Sequence, residues 1–278
     1  MKAVNADWIY QSIIREVVGS GDLLNTRNAW VKSCINIPAI EFERTPLVTI
    51  RKTAWKKAIK EMDWFLSGNP KCHQDLAETW WKGQLTKDDR YYGGYGQQLR
   101  SSGHHTRPQH DQIQYLIDGL IHHPNSRRHV ITTWNPWEMA NIVKINDNPN
   151  TPTTCHTTIG QYFIRNNKLH MTSYQRSADI LLGVPHNWIQ SWALLLWLAY
   201  KTNYQVGTLR WLFGDAHLYQ EDSHLETATA LLACATNTIR ESGFELVYKP
   251  STHWFNADDF TIVGNIPDAV VTSTPKLL

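Results

Sequence analysis

The sequence predicts one α+β domain, and three observations point to it. Two segments, Lys52 to Leu66 and Gln109 to His122, repeat their apolar residues at helical spacing on one face. Between and after them come short runs rich in β-branched and aromatic residues, as strands require. No repeat, low-complexity stretch or compositional seam divides the 278 residues, so a single domain spanning 1–278 is expected.

The elements follow in order. Ala6 to Val18 reads as an opening helix, stopped by Gly19, Ser20 and Gly21. Asn25 to Asn28 is a polar loop, and Ser33 to Phe42 alternates loosely as a strand. The helix Lys52 to Leu66 buries Trp55, Ala58, Ile59, Met62, Phe65 and Leu66, and Ser67-Gly-Asn-Pro70 ends it. Asp89 to Gly96 is a Tyr- and Gly-rich loop. The helix Gln109 to His122 ends at Pro124-Asn-Ser126. Strands are expected at His129 to Trp134, Thr157 to Ile164, Leu169 to Tyr174 and Leu209 to Phe213. Gly183-Val-Pro185 breaks the chain before an apolar helix that begins at Trp188, and a last helix covers Asp222 to Thr238.

Composition narrows the function. A net charge of +2 is too small to imply a nucleic-acid partner, while local basic clusters can still hold a small anion. The four cysteines are far apart with no C-x-x-C, which argues against a disulfide framework and for a reducing cytoplasm. The N-terminal residues lack the apolar core of a signal peptide. The most apolar stretch, Trp188 to Tyr200, is shorter than the ~20 residues a membrane helix needs, so no membrane partner is expected.

Cys155-His156 is a candidate nucleophile, because neighbouring positive charge lowers a thiol pKa. A lone cysteine is more often an inert core residue. A zinc site pairing Cys72-His73 with Cys155-His156 lacks the usual ligand spacing, and no metal is expected. Arg127 and Arg128 at a helix-to-strand junction suit a phosphate, although taken alone such a pair is more often a solvated surface pair. Gln175-Arg-Ser177 with Asp179 offers an anion anchor at one end and polar groups for a ring at the other. Asn187 can present a donor beside an acceptor, which matches the O4 and N3–H edge of uracil. His217 and Tyr219, two apart, would face one way on a strand.

Taken together these segments are similar to thymidylate synthase. The resemblance runs through Pro46-Leu-Val-Thr49, Glu61 with Trp64-Phe65, Tyr95-Gly96, Ser126-Arg-Arg128, Trp134-Asn135, Cys155-His156, Tyr174-Gln-Arg-Ser177 with Asp179, Leu182-Gly-Val-Pro185 with Asn187, and Gly214-Asp-Ala-His-Leu-Tyr219. The pieces keep family order and span roughly residues 25 to 265. The resemblance implies a three-layer α/β fold around a bent mixed sheet, and a homodimer. It implies that Cys155 adds to C6 of a pyrimidine nucleotide, and that 5,10-methylenetetrahydrofolate gives one carbon to C5. Arg176 and Ser177 would bind the phosphate, with Arg127 and Arg128 reaching the partner subunit's site and Arg27 a further ligand. His217 and Tyr219 would bind the sugar hydroxyl, Asn187 and Asp179 would lie near the ring and folate, and Gly183 near the folate. Glu61 would organise proton transfers at O4 and C5, Tyr95 would assist at C5, and Trp80 or Trp81 would pack on the folate.

The sequence departs from ordinary thymidylate synthases at several points. Asp63 replaces a leucine, Thr154 a proline and His186 a phenylalanine. Trp188-Ile-Gln-Ser-Trp192 holds one extra residue, and the tail after Gly264 does not match the segment that closes over folate. Some of these changes resemble the phage nucleotide hydroxymethylases, in which water completes the reaction in place of hydride. That places hydroxymethylation of dUMP ahead of methylation, with dCMP disfavoured by Asn187 and the cytoplasm of an infected host as the setting if the chain is viral. Asp63, about 200° round the helix from Glu61, also reads as a solvated surface acid, and His186 as a packed histidine. A nucleotide- or RNA-binding relative without turnover remains the reading from a different class.

Overall fold

Three strands whose residues alternate between buried and accessible sides form the centre of the protein. They are the ones that carry Arg165, Asp179 and Tyr219 at their ends. The computed structural model describes residues 2–3, 5–27, 29–103, 109–234, 243–273 and 275. In chain order its elements are β1 (Lys2–Ala3), α1 (Ala6–Ser20), β2 (Asp22–Asn25), β3 (Trp30–Cys34), β4 (Ile40–Phe42), α2 (Trp55–Ser67), α3 (Gln74–Ala77), α4 (Tyr95–Ser101), α5 (Gln112–His122), β5 (Val130–Thr132), α6 (Pro136–Asn146), β6 (Ile159–Arg165), β7 (Lys168–Asp179), α7 (Val184–Lys201), β8 (Gln205–Tyr219), α8 (Asp222–Ala233), β9 (Phe244–Tyr248) and β10 (Phe260–Gly264).

The main sheet runs β1-β4-β8-β7-β6-β5, with β3 also paired to β8 and β2 to β3. It is mixed: β7 and β8 are parallel, and β6 and β5 continue antiparallel. The parallel pair requires a crossover, and α7 supplies it. This is the mixed α/β architecture the sequence predicts. The buried side of β7 carries Leu169, Met171, Ser173 and Gln175, and α7 lies against it with Trp188 and Trp197 fully buried. Truncating either indole to Ala would cost about 3–5 kcal/mol. The opposite side of the sheet leaves Val130 and Ile159 exposed.

Several boundaries differ from expectation. Ser33 to Phe42 is not one strand. Its two halves, β3 and β4, lie along the same edge of β8 with a break at 35–39, where Pro38 removes a ladder donor. Gly183-Val-Pro185 does not precede the apolar helix but opens it: Val184 begins α7 and Pro185 sits in its first turn, where a missing N–H costs nothing. Tyr95 begins α4 and does not lie in a loop. Helix α2 ends as expected, at Gly68 in the left-handed region (φ 70°). The sequence reading missed β2, the β9–β10 hairpin, and α6, whose Asn135 cap and Pro136 are a legible start signal. Asn28 and residues 235–238 of the expected last helix lie outside the described residues. Among the described residues, no helix is long and apolar enough to cross a membrane.

Candidate active site

Cys155 sits in the segment before β6, beside the Tyr95 ring, which stacks with two others. Tyr95 lies on Phe65 at 4.4 Å between centroids, and His156 lies on Tyr95 at 4.7 Å. The stack holds the Tyr95 hydroxyl 3.2 Å from the Cys155 Sγ. The same oxygen accepts the Cys155 backbone N–H at 2.8 Å. The Cys155 carbonyl accepts the backbone N–H of Arg176 at 2.8 Å, which ties the loop to β7. Two residues on, Thr157 takes a left-handed backbone (φ 45°), a strained choice for a β-branched residue, as the chain turns into β6.

The Arg176 side chain wraps the same loop. Its Nε donates to the Thr154 carbonyl at 3.2 Å and its Nη2 to the Thr153 hydroxyl at 2.9 Å, with the guanidinium over the Trp134 ring. Loss of hydration raises the Cys155 thiol pKa, while the Tyr95 hydrogen bond and the Arg176 charge pull it down. The arginine therefore favours the thiolate, as expected, without outweighing burial. Burial also pushes His156 down to about 3, so its ring is neutral. That excludes His156 as the positive neighbour that would acidify the thiol.

On the helix side of the sheet, six side chains form one continuous hydrogen-bonded chain. The Trp211 indole donates to Gln175 Oε1 at 3.1 Å, and Gln175 Nε2 donates to Asn187 Oδ1 at 3.0 Å. Asn187 Nδ2 donates to Gln190 Oε1 at 3.2 Å. Gln190 Nε2 donates to Glu61 Oε2 at 2.5 Å, and the Trp81 indole donates to Glu61 Oε1 at 2.5 Å. Burial raises the Glu61 carboxyl to about 7, against the lowering effect of its two donors. A carboxyl poised near neutrality can both take and give a proton under working conditions.

A thiol, an arginine anchor and a buried carboxyl joined to an amide are here brought together by α2, α4, β7, α7 and β8, with Cys155 on the segment before β6. The sequence profile of the thymidylate synthase family matches residues 8–274 of this arrangement. The chain belongs to the thymidylate synthase family. A thymidylate synthase from Corynebacterium aurimucosum is 32% identical over 235 residues, covering 82% of this chain and 81% of the relative. The chain is accordingly a one-carbon transferase.

The remaining family positions divide into groups. Ser177 and Asp179 lie on β7 opposite Asp215 and His217 of β8. Asp179 Oδ1 accepts the backbone N–H groups of Leu181 and Leu182, each at 2.9 Å, and so fixes the turn that launches α7. Gly183 is packed where a Cβ would lie 3.2 Å from Asn187 Oδ1. His217 and Tyr219 share one side of β8 with their rings in edge contact at 5.4 Å, as their spacing predicts. His217 also meets Asp215 at 3.4 Å and holds that carboxyl below its usual range. Arg27 stands in the exposed turn between β2 and β3, beyond Tyr219, which pairs with Val31. Arg127 and Arg128 are exposed at the start of β5. Arg128 lines a cleft of about 590 Å³ with Tyr115, Ser126 and three histidines, and neither arginine shares a hydrogen bond with the Cys155 cluster among the described residues. Trp81 is buried on Glu61, whereas Trp80 is half-buried against the His186 ring at 4.7 Å.

The departures now have physical roles. The Thr154 hydroxyl donates to the Thr133 carbonyl at 3.0 Å, a bond proline could not make. Asp63 is not a solvated surface acid: it is half-buried and accepts the Ala257 backbone N–H at 3.2 Å, tying α2 to the turn at 257–259. His186 donates from Nδ1 to the Leu182 carbonyl at 2.7 Å and accepts the Ala54 N–H on Nε2 at 3.2 Å. Both ring nitrogens are engaged and burial lowers its pKa to about 4, so it is a packed neutral histidine. Ala54 lies between Thr53 and Trp55, two lining residues of a cavity of about 490 Å³ that Arg51, Lys52 and the tail residues Ile266, Asp268 and Thr272 complete. Among the described residues, no cluster of three His, Cys, Asp or Glu side chains is placed to hold a metal. Two members of the site escaped the sequence reading, Gln190 and Trp211.

Proposed function

We propose that this chain transfers the one-carbon unit of 5,10-methylenetetrahydrofolate to C5 of dUMP and ends with 5-hydroxymethyl-dUMP. The observation that carries the reading is the Cys155 thiol held at Tyr95 beside Arg176, with Glu61 at the far end of the amide chain that contains Asn187. Arg176 and Ser177 bind the phosphate and so fix the ring relative to the sulfur. Thiolate addition at C6 places charge on the C4 carbonyl, where the Asn187 amide and Glu61 stabilise it. The folate supplies the electrophilic carbon. Tyr95, whose own pKa burial drives far up, stays protonated and relays the C5 proton by way of water. His217 and Tyr219 hold the sugar hydroxyl, with Arg27 a further phosphate ligand.

The cavity beside Ala54 fits the folate's charged tail, because Arg51 and Lys52 supply cations and Trp55 supplies an aromatic face. Asp179, at the end of β7, and Gly183, at the start of α7, lie next to Asn187, where the pterin would lie. Water as the finishing reactant is supported by Gln190, a polar residue of the 188–192 segment that donates to Glu61. Glu61 would deprotonate that water. Methylation to dTMP is the second reading, favoured by the relative from Corynebacterium aurimucosum and by His186 being locked in packing.

A homodimer belongs to the same proposal. The sheet side facing away from the helices keeps Val130 and Ile159 exposed, and Tyr174 pairs with Ile159 on that side. A second copy covering it would bring Arg127 and Arg128 to the partner's phosphate. Incubation with dUMP and methylenetetrahydrofolate tests the ending. A 5-hydroxymethyl product without dihydrofolate is expected, and a methyl product with equal dihydrofolate would replace it by thymidylate synthesis. No product with dUMP or dCMP would favour a binding protein without turnover.

A further inference from the structure

The amide chain has a fixed direction, because both of its ends are groups with one role. The Trp211 indole can only donate, and it meets Gln175 Oε1. Gln175 Nε2 then spends one hydrogen on the Ser177 carbonyl at 3.2 Å and the other on Asn187. At the other end, Gln190 Nε2 spends both hydrogens on acceptors, the Ala58 carbonyl at 2.9 Å and Glu61. Gln190 must therefore turn its oxygen toward Asn187. Asn187 is left with one N–H and one oxygen lone pair for a ligand.

A pyrimidine with a 4-oxo group and N3–H needs that donor at O4 and that acceptor at N3. A 4-amino pyrimidine needs the reverse, which a flipped Asn187 would supply. Flipping it would set its oxygen against Gln190 Oε1 and its NH2 against Gln175 Nε2. A compensating flip of Gln190 would then oppose its oxygen to the Ala58 carbonyl, which can only accept. All of these groups are buried, where unmatched polar pairs are most costly.

We infer that Gln190 is a positioning residue that sets the sense of the Asn187 amide, and so selects a 4-oxo over a 4-amino pyrimidine nucleotide while also donating to Glu61. The inference rests on the reading of a pyrimidine monophosphate as substrate. Trp81 and Gln190 are the polar groups that bond Glu61, and the Cys72 and Cys155 thiols are the titratable groups whose charge couples to it.

The test is titration calorimetry of dUMP and dCMP binding to the full-length protein and to Gln190→Met, with Gln190→Leu as a second apolar replacement should the first not fold. The wild-type chain should bind dUMP at least roughly 100-fold more tightly than dCMP, and the ratio should fall by roughly tenfold or more in the variant. A kcat/KM–pH profile for dUMP should show the limb assigned to Glu61 moving to higher pH, because the carboxylate loses a donor. A side chain that only fills space would lower activity and move neither quantity. An unchanged binding ratio overturns the inference whatever happens to turnover. A wild-type protein that binds neither nucleotide sinks the substrate reading, and the inference with it.

Discussion

Replacing Glu61 by glutamine should abolish a specific pH dependence of folding stability. Burial raises the Glu61 carboxyl from an ordinary 4.5 to about 7. In the unfolded chain it titrates near 4.5, so between these values the folded state holds a proton that the unfolded state has lost. Stability from this group is fully present below pH 4.5 and disappears as pH rises through about 7. Linkage over those two values gives a loss of about 2.5 kcal/mol between pH 5 and pH 8. Glu61→Gln removes the titration and keeps the shape, with the Trp81 indole still facing an oxygen. Urea denaturation of both proteins at pH 5, 6, 7 and 8 would measure it. The wild-type minus variant difference should shrink by about 2.5 kcal/mol across the series. Parallel curves would refute the claim that this carboxyl is held protonated near neutrality, and with it the argument that Glu61 handles protons at O4 and at the finishing water.

Three further outcomes are expected. Tyr95→Phe keeps the ring stack but removes the hydroxyl that touches Sγ, so the Cys155 thiol pKa should rise further and its alkylation by iodoacetamide should begin at higher pH; turnover should drop by roughly 10²–10⁴. His186→Phe should change neither the product nor kcat by more than about threefold, since the ring is neutral from pH 5 to 8 and both nitrogens serve packing; a change of product by mass spectrometry would return His186 to the chemistry. An Arg127→Ala/Arg128→Ala double variant and Cys155→Ser should each be inactive, yet regain activity when unfolded together and refolded. Hybrid dimers would contain one complete site, and no recovery would argue against shared arginines.

The strongly periodic parts of the fold were legible from sequence, and the site was legible wherever one residue type has few alternative uses. Helix α2 announces itself by its apolar stripe and its Gly68 stop, and β8 by the run Leu209 to Phe213, which the structure extends to Gln205–Tyr219. Asn187 is legible as a base reader, but its place in a helix is not, because Pro185 reads as a breaker unless the helix is known to start one residue earlier. Gln190 and Trp211 were missed for opposite reasons. Gln190 hides inside an apolar helix as a tolerated polar residue, and its use depends on Ala58 and Glu61, more than 120 positions away. Trp211 looks like any core indole on a strand, and only the tertiary structure reveals that its N–H faces Gln175. Asp63 and His186 drew notice as departures from the family pattern. Pattern alone could not reveal that one ties down the turn at 257–259 and the other the start of α7.

The central claim is that Cys155 adds to C6 of dUMP so that C5 can accept the one-carbon unit. It is tested most directly with 5-fluoro-dUMP and methylenetetrahydrofolate, because fluorine at C5 cannot leave as the proton does and the adduct should persist. Intact-mass analysis followed by peptide mapping should find nucleotide and folate together on the peptide that carries Cys155, and nothing on Cys155→Ser. An adduct on another residue, or steady turnover of dUMP by Cys155→Ser, would contradict the account.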